Sequence, residues 1–213
     1  MTQATQATEV DRQQKDYIKY LKERIFFEPS SAPLHYNLGV AYAGRGQIDE
    51  AISEFKQAVE CDPNLAQGYV NMGGLLFQKG DIDQCIEANL KAVALDPKLP
   101  LAQSNLGFAY LQKGNYEKAI EHSNRAIELM PDLLPAYNNL AVAYIQADQP
   151  EASIQASLKI VNANSSFAPA HYNLAVAYRM TGDLSKAREH YGKAKTLGYA
   201  AESEDEADWK SLG

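Results

Sequence analysis

The chain has 213 residues, 46% apolar by type and 22% charged, with a formal net charge of −7. That balance is ordinary for a globular chain, and the negative charge excludes a general phosphate-backbone footprint, which needs basic stripes to displace counterions. Apolar runs are broken by Asn, Gln, Gly or charge within about fourteen residues, so no segment reads as membrane-spanning.

The opening MTQATQATEVDRQQ is polar and has neither an early basic residue nor an apolar run. It matches no secretory signal, and the expectation is a cytoplasmic protein with residues 1–10 disordered. Residues 11–30 hold an amphipathic helix, with Tyr17, Ile18, Leu21 and Ile25 expected to face the rest of the fold.

A period of 34 residues then runs without insertion through units 32–65, 66–99, 100–133, 134–167 and 168–200. Each unit reads as two helices. Gly46, Gly80, Gly114 and Gly182 mark the turn between them, with Asp148 in that place in the fourth unit. Pro63, Pro97 and Pro131 close the second helices, since proline cannot continue the hydrogen-bond ladder. Ile52, Ile86, Ile120 and Ile154 keep the same spacing, which projects back onto Ile18 and makes residues 11–30 the second helix of an incomplete leading unit. Residues 201–213 are acidic; Ser203 and Glu206 have capping-box spacing, so this stretch is either a short capping helix carrying Trp209 and Leu212 or a solvated tail. Units that bury their apolar faces only against their neighbours form a stack. Cys61 and Cys85 fall at repeat positions where other units carry Leu or Ala, as small or apolar core filling rather than a disulfide framework.

The first helices contain HYNLGVAYAG, YVNMGGLLFQ, QSNLGFAYLQ, YNNLAVAYIQ and HYNLAVAYRM, in which Arg179 alone is fully charged. One half of each helix wheel is core. The other half would be charged if it met only water. Instead it carries Tyr36, Val40 and Ala43; Val70, Gly74 and Phe77; Ser104, Phe108 and Leu111; Asn138, Val142 and Ile145; and Tyr172, Val176 and Arg179. An apolar strip of this kind marks a protein-binding surface. The same face holds Asn37, Asn71, Asn105, Asn139 and Asn173, one per unit. An amide can donate to and accept from the backbone of an extended peptide, or bond to a neighbouring turn.

These residues resemble the tetratricopeptide repeat family over roughly residues 11–200. Leu38, Gly39, Tyr42, Ala51, Phe55, Ala58 and Pro63 occupy its signature places in the first unit, and Leu106, Gly107, Tyr110, Ala119, Ala126 and Pro131 in the third. The fourth unit departs at Ser153, Ile160 and Ser165, where irregular packing is expected. The resemblance implies an all-α, right-handed solenoid of five helix pairs with the first helices on the concave side. The asparagines are similar to the asparagine ladder of O-GlcNAc transferase superhelices. The family's other familiar groove, a basic clamp for a chaperone's terminal carboxylates, is missing, because Tyr36 and Val40 stand where it needs Lys and Asn.

The expected function is a non-enzymatic scaffold with a protein or peptide partner, no nucleic acid, no cofactor and no metal. Arg179 is placed to meet one acidic group of the peptide. The alternative is a self-assembling scaffold whose copies join through groove or end contacts. His35 and His171 fall at core positions and His122 and His190 on second helices, with no partner indicated for any of them. No phosphate loop, Cys/His cluster or nucleophile elbow occurs in the sequence.

Overall fold

A computed structural model describes residues 3–199, with side chains from Glu9 onward. Eleven helices and no strands occur among the described residues, so the class is the all-α helical solenoid expected. They are α1 (Gln3–Phe27), α2 (Ala32–Ala43), α3 (Ile48–Cys61), α4 (Ala66–Gln78), α5 (Ile82–Leu95), α6 (Pro100–Gln112), α7 (Tyr116–Leu129), α8 (Leu134–Gln146), α9 (Pro150–Ala163), α10 (Ala168–Met180) and α11 (Leu184–Thr196).

The turn inside each pair is built from one backbone device. Gly46, Gly80, Gly114 and Gly182 have φ between 71° and 83°, and Asp148 takes φ 56° in the fourth unit. The residue after each then donates back across the helix end, as in Gln47 N–H to Tyr42 O at 3.0 Å and Gln149 N–H to Tyr144 O at 2.8 Å. These bonds satisfy carbonyls that a helix end leaves unpaired. At the other corner, Asp62, Asp96 and Met130 turn extended, with φ from −133° to −142°, because the following proline disfavours the helical region. Asn164 adopts φ −144° before Ser165, and its side chain accepts from Ser166 N–H at 3.0 Å. The same Asx turn forms at Asp62 and Asp96, so this corner keeps that device without the proline.

The chain divides into two compact units, residues 1–105 and 106–213, with the boundary inside α6. In the first, α1 packs on α2, α2 on α3, α3 on α4 and α4 on α5. Leu21, Leu38, Tyr42, Ala51, Phe55 and Leu75 form its main core, flanked by Ile18 and Ile25. In the second, α7 through α11 pack in succession, with cores centred on Leu140, Ala141 and Ala156 and on Ala175 and Ala187.

Two expectations change. Helix α1 starts at Gln3, within the stretch 1–10 expected to be disordered: no Gly or Pro interrupts Gln3–Phe27, and lengthening a formed helix adds one hydrogen bond per residue. Tyr17 does not join Ile18, Leu21 and Ile25 in the core but is 47% exposed and stacks on Tyr20 at 6.5 Å. It lies at the repeat position of Ala51, on a face that α2 covers in α3 and that no described residue covers in α1. In the fourth unit, where irregular packing was expected, Ile160 is fully buried and Ser153 Oγ donates to Ala141 O at 2.8 Å, while the buried Ser157 Oγ has no hydrogen-bond partner among the described residues. The expected end helix at Trp209 and Leu212 lies outside the described residues.

Candidate functional site

The uncharged half of the first helices becomes a concavity in the first compact unit. Val40 and Ala43 of α2, Val70, Asn71, Gly74 and Phe77 of α4, and Leu101 and Asn105 of α6 line an open space of about 690 Å³. Gly44, Phe55, Leu75 and Gln78 complete the lining, and none of the twelve residues is charged. Val40 is 45% exposed there, while Tyr36 is half-buried against Phe55 with ring centroids 5.6 Å apart.

The asparagines differ from one another. Asn37 is exposed, Asn71 and Asn105 are half-buried, and Asn139 and Asn173 are buried. Asn71 Nδ2 donates to Tyr36 Oη of the preceding repeat at 3.1 Å, and Asn71 Oδ1 accepts from Gln67 Nε2 at 3.0 Å. Asn173 Nδ2 makes the same backward bond, to Asn138 Oδ1 at 3.2 Å. Asn105 would face Val70 in that register, which cannot accept, and instead donates to Asn89 Oδ1 at 3.2 Å. The amides therefore join repeats, and only part of their capacity is left for a guest.

In the second compact unit the apolar positions are drawn inward. Leu111 is buried with Ala119 and Ala143, and Phe108 and Val142 pack on that cluster. Val176 packs on Ala175 and Ala187, Tyr172 stacks on Tyr199 at 4.5 Å, and Ile145 and Arg179 are half-buried.

Two features went unread in the sequence. Asn89 is fully buried beneath Gly73, donates to Cys85 O at 2.8 Å, and would lie 2.2 Å from a Cβ at position 73. The signal was a pair of columns: Gly39, Gly73 and Gly107 oppose Phe55, Asn89 and Ser123, and a Cβ at each glycine would come within 2.9 Å of its partner. The histidines are the second correction, because three of them pair with another side chain and His122 stacks on Tyr110. His35 Nδ1 lies 2.7 Å from Glu54 Oε2 and His171 Nδ1 lies 3.0 Å from His190 Nδ1, both across nineteen residues. The other nitrogen of each first-helix ring donates to a corner carbonyl, His35 Nε2 to Pro29 O and His171 Nε2 to Ser165 O, both at 3.0 Å. His171 Nδ1 is therefore the acceptor and His190 Nδ1–H the donor. Units with Tyr69 and Tyr137 in the His35 place carry Ala88 and Ala156 in the Glu54 place, so this pairing was present in the sequence.

Burial, then the facing His171, holds His190 below the ordinary histidine value, and burial does the same to His122. Burial also pushes the Cys85 thiol up to about 11 against a smaller opposing hydrogen bond from Asn89. Among the described residues no group of three or more His, Cys, Asp or Glu is placed to hold a metal ion, and no helix is long and apolar enough to cross a membrane.

Tetratricopeptide repeat models match residues 32–65 and 168–198 and residues 98–164, and a TPR repeat model matches residues 73–114. No curated protein matches by sequence. Among solved structures, MamA residues 41-end from Desulfovibrio magneticus RS-1 is 25% identical, covering 81% of this chain and 97% of its own, with a TM-score of 0.70. YrrB, described as a TPR protein with an unusual peptide-binding site, is 18% identical over 84% of this chain and 92% of its own, with a TM-score of 0.71. The pilF protein of Pseudomonas aeruginosa is 19% identical over 85% and 88%, with a TM-score of 0.69. With five helix pairs in one 34-residue register and repeat models matched from residue 32 to residue 198, this chain belongs to the tetratricopeptide repeat family, whose stacked helix pairs serve as protein–protein interaction scaffolds.

Proposed function

We propose that the chain is a non-enzymatic scaffold of the cytoplasm that holds an extended segment of a partner protein against the first helices of its first compact unit. The observation that carries this reading is the 690 Å³ concavity with no charged residue in its lining. A solvated helix face without charge has no other evident purpose, and burying the floor under a guest removes apolar area from water at about 25 cal/mol per Å². Asn37, Asn71 and Asn105 supply polar contacts along the segment, each worth about 0.5–1.5 kcal/mol net. Asn173, which is buried and donates to Asn138, serves repeat-to-repeat bonding, and Asn139 is likewise buried. Phe108, Val142, Ile145, Tyr172, Val176 and Arg179 give the second compact unit a smaller apolar face ending in one cation. YrrB, which has the same fold, carries a peptide-binding site, so the fold accommodates such use.

The test is selection of binders from a phage-displayed peptide library, followed by titration of the best synthetic peptide against the wild-type chain and Val40→Asp. Because Val40 is exposed, the variant should keep its helical circular dichroism. A loss of affinity of tenfold or more supports the groove. Unchanged affinity removes the site from it, and concentration-dependent sedimentation of the free chain would favour self-assembly.

A further inference from the structure

Gly73 and Gly74 are adjacent in the interior of α4, where each glycine weakens the helix relative to alanine. Packing accounts for the first, whose Cβ would strike the buried Asn89 amide at 2.2 Å. It does not account for the second. A Cβ at Gly74 would meet only Asn105 Nδ2, at 3.8 Å, an ordinary contact distance. The other four units carry Val40, Phe108, Val142 and Val176 in this place, so the second unit alone leaves the wall open. The opening lies in the uncharged concavity, between Val40, Asn71, Phe77 and Asn105.

We infer that the gap at Gly74 is a side-chain pocket that selects an extended peptide segment by one uncharged, branched or aromatic apolar residue. This rests on the groove reading above and names what that groove prefers. The absence of charge in the lining disfavours an acidic or basic anchor, whose desolvation would go uncompensated. The amides decide the backbone form of the occupant. Asn71 keeps one N–H and one lone pair after its bonds to Tyr36 and Gln67, and Asn105 keeps one N–H and its carbonyl oxygen after donating to Asn89. An extended main chain has N–H and C=O groups to meet them, whereas a helix has spent its own internally.

The experiment starts from peptides selected on the wild-type chain and compares Gly74→Ala and Gly74→Leu. Removing a helix-interior glycine should hold or raise the thermal midpoint, while Gly74→Leu weakens the selected peptide tenfold or more. A peptide whose apolar anchor is cut back to Ala should lose affinity for wild type but not for Gly74→Leu, reversing the preference. A purely structural role for Gly74 cannot produce that reversal. If Gly74→Leu loses its helical signal, Gly74→Ala carries the comparison, with a threefold or greater loss for the largest anchors and none for the Ala peptide. Retained affinity in both variants, with Val40→Asp still disruptive, overturns the pocket and leaves the groove. Peptides indifferent to Val40→Asp, or no selected peptide at all, overturn both. Self-association of the wild-type chain that Gly74→Leu abolishes makes the occupant a second copy and overturns the partner assignment.

Discussion

Single residues in this fold are legible when they repeat and obscure when they compensate for one another. The glycine turns and the asparagines stand out at a 34-residue period, yet Gly107 makes sense only with Ser123 beside it. A Cβ at Gly107 would lie 2.3 Å from Ser123 Oγ and 3.2 Å from both Ala119 O and Ser123 N, two of them backbone atoms that cannot swing aside. Gly107→Ala should therefore destabilise the chain by about 1–3 kcal/mol, read by urea unfolding, despite alanine's better helix propensity. Asp148 presents the opposite case. Its φ of 56° is strained for a residue with a side chain, so Asp148→Gly should stabilise by up to about 1 kcal/mol in the same assay. The two cysteines give a third check, since Cys61 is exposed and Cys85 is buried with its pKa raised to about 11. One thiol should react with Ellman's reagent in the native chain and two in denaturant; two rapid equivalents in the native state would contradict the packing around Asn89.

At the scale of helices, α10 and α11 are joined by a contact that depends on a proton. His171 Nδ1 accepts from His190 Nδ1–H, and protonating both rings would point two N–H groups at each other across 3.0 Å. His190 also faces Glu189, Lys186 and Lys193 of its own helix and stacks on Tyr178 of α10, while the ionisable residues of α9, Glu151 and Lys159, are exposed. Its folded pKa is lowered, so the stability tied to the neutral ring is complete above the ordinary 6.5 and is lost as pH falls through the lower folded value. Thermal melts between pH 7.5 and 5 should show a falling midpoint, with a shallower fall in His190→Gln; equal slopes would mean the pair does not contribute. The asparagines allow a similar distinction between elements. Asn173→Ala removes a buried amide that bonds Asn138 and should cost about 1 kcal/mol, whereas Asn37→Ala, at an exposed position, should be near neutral. The sequence showed that these amides share a face. It did not show that Asn71 and Asn173 each spend one N–H on the first helix of the preceding repeat, because that depends on which side chain, Tyr36, Val70 or Asn138, stands one unit back.

For the molecule as a whole, the helix pairs, their order and the turns followed from period and turn chemistry, and the uncharged groove face followed from the lack of charge on the first helices. The identities of core neighbours did not, since a period reports position and not which side chains meet. Stability in such stacks is close to a sum of terms between neighbours, so the helices with the thinnest burial should open first. Among the described residues, α1 buries only Leu21 and α11 only Ala187 and Ala194, whereas α8 buries Ala136, Asn139, Leu140, Ala141 and Ala143. Amide hydrogen exchange should accordingly be fast in α1 and α11 and slow in α8, and equal protection would argue against repeat-by-repeat opening.

The bonds from His35 to Pro29 O, Tyr137 to Pro131 O and His171 to Ser165 O all reach back six residues, across the corner between one repeat and the next. Each acts as a strut of fixed reach. A corner lengthened by one residue would carry the ring past its carbonyl and swing every later helix about its own axis. The uniform spacing of this chain can thus be understood as a tolerance set at its joints, which makes the bends the least forgiving places for an inserted residue.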